Sequence, residues 1–399
     1  MTVKTMVVGT EAALLAALRA ASGETEIQLR PGLYDSFIIA NINPTAKVTI
    51  TSFDPSNRAV IDTLFVNDSS NLTFEDLYFH DVTPAGPQLR IMRSHDITVV
   101  DSEFAGNIDA SNLNDASGLQ MTDSNRISIL NNDFHDLTFT TLALRSNNLV
   151  FAGNVVTKVR EGMDFSDVDH VIIDRNSFSA FQPMLTGPAP DHPDAIQFWT
   201  SASRGSTDVE ITNNSFMFGN HVPIQGIFIR SELGDAARHS DFLIANNVYQ
   251  GQSRHGITLW DTDGGQITGN TVVSAPKGGT GYYLDPAINT QNTRGVEVDH
   301  NVSAMMFSVR DTGRMAHDNV DAWDNQTGVG VKYADLFGKT PTSTAVASDF
   351  LVKAGSVADL LDAGFAPLTR PGDRGGFSEL PYERYQDMLD FAPATYHIP

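Results

Sequence analysis

Nine consecutive residues, Asp191-His192-Pro193-Asp194-Ala195-Ile196-Gln197-Phe198-Trp199, hold two carboxylates, an imidazole and a large aromatic. Further on, Arg254-His255-Gly256 sets a cation beside a second imidazole, and Arg230 lies between the two stretches. An imidazole titrates near neutrality and can take or give a proton. A carboxylate can do the same when its surroundings raise its pKa. Arginine grips carboxylate or sulfate through two parallel hydrogen bonds, and tryptophan offers a flat face for stacking. None of this is chemistry until a scaffold brings the groups together.

That scaffold is legible as a repeat. From about residue 48 the pattern apolar–x–apolar–x–x–Asn–x–apolar recurs, as in Ile129…Asn132-Asp133-Phe134, Ile173…Asn176-Ser177-Phe178 and Ile244…Asn247-Val248-Tyr249. Successive Asn positions from Asn132 to Asn301 are 22, 22, 38, 33, 23 and 31 residues apart. A basic period near 22, alternation at period two, and Gly, Asn and Asp between the units describe stacked strands. The expected fold is all-β, a parallel β-helix solenoid of about ten coils. Asn in the left-handed conformation at one turn per coil should bond its neighbours above and below as a ladder.

Residues 1–30 read as an N-terminal cap: Thr10 starts a helix from Glu11 to about Ala21, and a strand Glu26 to Leu29 follows. Residues 31–333 are the coils. Residues 334–399 read as a C-terminal cap or attachment segment, with a helical stretch near 348–363 and an aromatic tail.

Each coil carries a second strand. Aligned from Gly118, Thr141, Gly162, Ala195, Gly226, Gly256 and Gly281, these strands are apolar at positions two and four, which therefore face the core. Two columns face outward: Gln120, Ala143, Asp164, Gln197, Phe228, Thr258, Tyr283, and Thr122, Arg145, Ser166, Trp199, Arg230, Trp260, Asp285. The two oversized coils between Asn176 and Asn247 place their insertions beside this row, so they should wall a cleft. Asp191 and His192 belong to that wall, whereas Asp194, Gln197 and Trp199 face the cleft. At about 4.8 Å per coil, Asp194, Arg230, Arg254 and His255 converge within two coils, the size of one or two sugar rings. Asp164 flanks them, and Trp199 and Trp260 stand two coils apart with Arg230 between.

Composition narrows the partners. The formal net charge is −22, which opposes nucleic acid and anionic membranes, so basic residues beside the row carry information. There is no cysteine, which excludes disulfides and thiolate metal sites. No apolar run reaches the roughly 20 residues of a membrane span. The N-terminal residues show no Sec-type leader, and an extracellular or particle-associated location without one is the expectation.

Over roughly residues 25–320 the coil pattern resembles the right-handed parallel β-helix carbohydrate-active proteins of the pectate-lyase-like class. Arg254-His255-Gly256 resembles the Arg-His-Gly of mannuronan C5-epimerase modules, where it falls two coils after an Asp-Pro-His-Glu/Asp motif. Here Asp191-His192-Pro193-Asp194 stands two coils before it with Pro and His transposed, and Pro188-Ala189-Pro190 replaces the family's preceding tyrosine. The stations at Asp164, Asp194 and His255-Gly256 are faintly similar to those of polygalacturonases, without their adjacent Asp pair. The chain also resembles phage tailspikes, which implies capsule or exopolysaccharide binding, a homotrimer, or attachment to a larger particle through the C-terminal segment.

Together these readings imply an acidic polysaccharide as partner. Elimination at a uronate needs a neutraliser, Arg230 or Arg254, and a base, His255. Hydrolysis needs two carboxylates, for which Asp164 and Asp194 are the pair. Elimination is favoured over hydrolysis or epimerisation because basic groups concentrate here in an acidic chain. Substrate contacts fall to Trp199, Trp260, Gln197, Arg145 and Tyr283. No cofactor is expected; calcium is the alternative neutraliser, although no Asp-rich loop has its ligand spacing. The alternative is a spike that binds glycan without cleaving it.

Overall fold

The computed structural model describes residues 3–80, 86–109, 115–186, 190–200, 204–219, 222–276, 284–324 and 327–366. These fall into two compact units, 3–161 and 162–366. Both are built the same way: each turn of the chain lays down three short strands, and every strand pairs in parallel with its counterpart in the next coil. The chain is a right-handed parallel β-helix.

In the first unit the helix Glu11–Ala20 forms where Thr10 caps it, the Thr10 hydroxyl accepting from the Ala13 N–H at 3.2 Å. Leu14, Ala17 and Leu18 are buried. An unforeseen strand, Lys4–Val8, precedes it and pairs with Thr25–Leu29. The core is filled by like residues at like positions, with Phe79, Phe104 and Phe134 stacking at 4.4 and 4.6 Å. A serine column completes the turns: Ser69, Ser94 and Ser124 each donate a backbone N–H to the hydroxyl of the next serine, ending on Ser146.

In the second unit Asn176, Asn214, Asn247, Asn270, Asn301 and Asn319 form the expected ladder. Each of the first five donates its backbone N–H and its Nδ2 to the next Asn Oδ1 at 2.9–3.0 Å. The left-handed residue is not the ladder Asn but the one before it, as at Arg175, Asn213, Asn246, Gly269, His300 and Asp318. That residue turns the chain, and the Asn can then point inward and bond along the stack.

Three expectations about the row change. Each coil has three strands rather than two, because the Asn-x-apolar segment is a strand of its own, such as Ser215–Met217. In the coil around residue 142 the register differs by one: Leu119 pairs with Thr141 and Met121 with Ala143, so Thr141 and Ala143 face inward. The strand that follows His255–Trp260 in this sheet is Ala287–Gln291, with Ile288 opposite Ile257, whereas residues 281–283 of the strand expected at 281–285 lie outside the described residues. After the coils, the helical stretch expected near 348–363 resolves into a short 3-10 turn, Ala347–Phe350, and one turn of α-helix, Val357–Leu360. A further short helix, Tyr333–Phe337, packs with Phe350, Ala358 and Val320 in an apolar cluster.

Candidate active site

The site stands on the second unit, on the sheet holding Glu161–Ser166, Asp194–Trp199, Gln225–Ile229, His255–Trp260, Ala287–Gln291 and Met305–Val309. The inward residues Ile196, Phe198, Ile227, Ile229, Ile257 and Leu259 are buried, which fixes the opposite face outward. One outward column is Asp164, Gln197, Phe228, Thr258, Asn289 and Phe307, each in register with the next. A second runs Ser166, Trp199, Arg230, Trp260, Gln291, Val309; the Arg230 N–H bonds to the Phe198 carbonyl, which sets Arg230 beside Trp199. At the strand starts, two residues before Ile196, Ile227 and Ile257, stand Asp194, which pairs with Gln225, and His255 one coil further on.

Only the smallest residue fits after Gln225. A Cβ on Gly226 would lie 2.3 Å from the Gly256 carbonyl oxygen and 2.7 Å from the Tyr249 ring. Tyr249 is itself fixed, its hydroxyl donating to the Ile224 carbonyl at 2.7 Å. The backbone that carries Gln225 and His255 is therefore held close against its neighbours.

His255 is the centre of the site. Its Nδ1 lies 2.9 Å from the Thr258 hydroxyl. Its ring meets Phe228 edge-on at 5.1 Å and Trp260 at 5.9 Å, while Phe228 and Trp260 lie 5.6 Å apart. Burial, and next the Arg254 cation, hold its pKa below the usual imidazole value, so the ring is neutral at pH 7. With Nδ1 committed to Thr258, Nε2 is the nitrogen left for a ligand.

Two guanidiniums flank the ring. Arg230 lies over Trp260 at 5.8 Å, half exposed, with Glu232 3.8 Å away. Arg254 lies over Phe307 at 5.4 Å and makes no ion pair among the described residues. Asp194 is buried, and burial raises its pKa against the opposing pull of His192. His192 Nδ1 is 3.9 Å from its carboxylate, too far for a hydrogen bond, and neither Asp194 oxygen has a partner among the described residues. Gln225 Oε1 and Trp260 Nε1 are likewise buried without a partner. Polar atoms left bare in this way cost free energy unless something meets them.

The structure thus sets Gln197, Trp199, Arg230, Arg254, His255 and Trp260 on one face of three coils, with Asp164 buried one coil before Gln197 and Asp194 buried at the start of its strand, in register with Gln225. It does not bring Arg145 there. Owing to the one-residue register difference Arg145 follows its strand, in a left-handed turn conformation, and its Nε donates to Asp123 at 2.8 Å. Tyr283 lies outside the described residues. Asp285 is buried and accepts from the Ser274 hydroxyl rather than standing on the row. Asp191 ties the wall together, its N–H donating to the Met184 carbonyl at 2.8 Å. The sequence reading did not single out Gln225 or Phe307. Gln225 could have been found by counting two residues back from Ile227, the step that leads from Ile257 to His255.

Residues 61–216 match the family model of the right handed beta helix region. No curated protein matches the sequence. Among solved structures, an alginate lyase from Paenibacillus is similar at 14% identity and TM-score 0.43, covering 79% of this chain and 99% of that one. The Dettilon tailspike protein is similar at 12% identity and TM-score 0.47, over 80% of this chain and 63% of that one. The mannuronan C-5 epimerase A-module of Azotobacter vinelandii is similar at 12% identity and TM-score 0.37, over 76% and 93% of the two chains. The family model and the three parallel sheets together make the chain a right-handed parallel β-helix.

Proposed function

We propose that this row binds an acidic polysaccharide and cleaves it by β-elimination at a uronate. The observation that carries the reading is a neutral imidazole set against Trp260 and flanked by two arginines, with bare buried polar atoms on Trp260 and, at the starts of the two preceding strands, on Asp194 and Gln225. A uronate carboxylate between Arg230 and Arg254 loses much of its charge, which acidifies the proton on C5. His255 Nε2 takes that proton, and the C4–O bond breaks as the double bond forms between C4 and C5. The leaving oxygen needs a proton, and Asp194 supplies it, since burial favours its protonated form. Trp199 and Trp260 stack on neighbouring rings and hold the chain along the coils.

The test is end-group analysis after incubation with uronate polymers and with neutral glucans. The reading expects ultraviolet-absorbing unsaturated ends from at least one uronate polymer and none from the glucans. New reducing ends without unsaturation would move the chemistry to hydrolysis by Asp164 and Asp194. Binding to capsule or exopolysaccharide with no new ends of either kind would make the protein a glycan-binding spike.

A further inference from the structure

A second cluster lies on a different sheet of the second unit, where the coils end. Asp299 closes the strand Glu297–Asp299 and pairs in register with His317 of Met315–His317 in the next coil; His300 follows Asp299 in the left-handed turn. Asp299, His300 and His317 each offer a ligand atom, all within 4.8 Å of one another. His300 Nδ1 is 3.6 Å, and His317 Nε2 3.9 Å, from the same oxygen, Asp299 Oδ2. Donors held about 2.0 Å from an ion in tetrahedral geometry stand about 3.3 Å apart, so a small contraction would close the set. Glu297 Oε1 lies 3.0 Å from His317 Nε2, beside this set of three rather than within it, and is the nearest carboxylate that could move in as a fourth ligand.

Two further observations point to an ion. Asp299 Oδ1 is buried with no partner among the described residues, although the residue is only 4% exposed. The supports that metal ligands ordinarily have are also present: His317 Nδ1 meets Asp318 Oδ2 at 3.0 Å, and Gln266 Nε2 donates to Asp299 Oδ2 at 3.0 Å. A carboxylate on the far nitrogen fixes a ligating imidazole in orientation and tautomer. We infer that Asp299, His300 and His317, with Glu297, form a binding site for a late first-row divalent ion such as Zn2+. Two imidazoles with carboxylates favour zinc, copper or nickel over calcium, which takes six or more oxygens. The ion joins adjacent coils, so it staples the last two strands of this sheet among the described residues.

The test is calorimetric titration of the untagged full chain with ZnCl2, and with CaCl2 in parallel, alongside thermal melts with and without Zn2+. The inference expects one high-affinity Zn2+ per chain and a higher melting temperature with Zn2+. It expects at least about tenfold weaker binding in both His317→Ala and Asp299→Asn. His317 is half exposed, so its variant should fold even if Asp299→Asn does not. His95→Ala, altering an exposed imidazole outside the cluster, should leave the titration unchanged. Absence of Zn2+ binding, binding unchanged in His317→Ala, or preference for Ca2+ would each overturn the assignment.

Discussion

His255 combines a lowered pKa with a fixed Nδ1, and that combination has a measurable signature. Protonation destroys the base, so turnover should fall on the acid side. Because burial and Arg254 lower the pKa, that limb should lie below the ordinary imidazole value of 6.5. A pH–kcat/KM profile checks this, and an acid limb above 6.5 would show that another group is the base. Trp199 and Trp260 are not equivalent. Trp260 touches His255, Phe228 and Arg230, so Trp260→Ala should lower kcat as well as raise KM. Trp199→Ala should chiefly raise KM, by roughly tenfold or about 1.4 kcal/mol. Steady-state kinetics of the two variants separate these roles.

Among elements, the asparagine ladder is the main polar framework of the second unit. Asn247→Ala removes the acceptor for both the N–H and the Nδ2 of Asn214. Leaving the Asn214 N–H bare, and its Nδ2 with only the Ile173 carbonyl, should cost about 2–4 kcal/mol, read as a lower denaturation midpoint. Glu210, on the strand Thr207–Thr212, supplies a pH test. Burial, and next the Asp174 carboxylate, push its pKa up to about 7. The folded state therefore holds a proton that the unfolded chain gives up above the ordinary value of 4.5, and stability falls as pH rises from there to about 7. Glu210→Gln should raise the melting temperature at pH 8 and leave it nearly unchanged at pH 4.

The ladder was legible because Asn recurs at one position of a periodic pattern. The left-handed residue before it was not, since Arg175, Gly269 and His300 share a conformation without sharing a residue type. The register difference in the coil around residue 142 has a similar origin. Thr141-Leu142-Ala143-Leu144 alternates in either phase, and small Thr141 and Ala143 won the inward places from the two leucines. The metal cluster escaped the sequence because Asp299 and His317 become neighbours only once the coil between them is closed.

At the scale of the molecule, a net charge of −22 opposes approach of a polyanion, while Arg230 and Arg254 act only at close range. Raising salt from about 10 mM toward about 100 mM screens the distant repulsion first. Association with a uronate polymer should then become faster over that range, as stopped-flow binding would report. The central claim is that His255 is the base of an elimination. It is tested most directly by the ultraviolet progress curve of His255→Ala on a uronate polymer that the wild-type chain degrades. Turnover should fall by about 10²–10⁴-fold while polymer binding stays near that of the wild type. Unsaturated ends appearing at the wild-type rate in His255→Ala would contradict it.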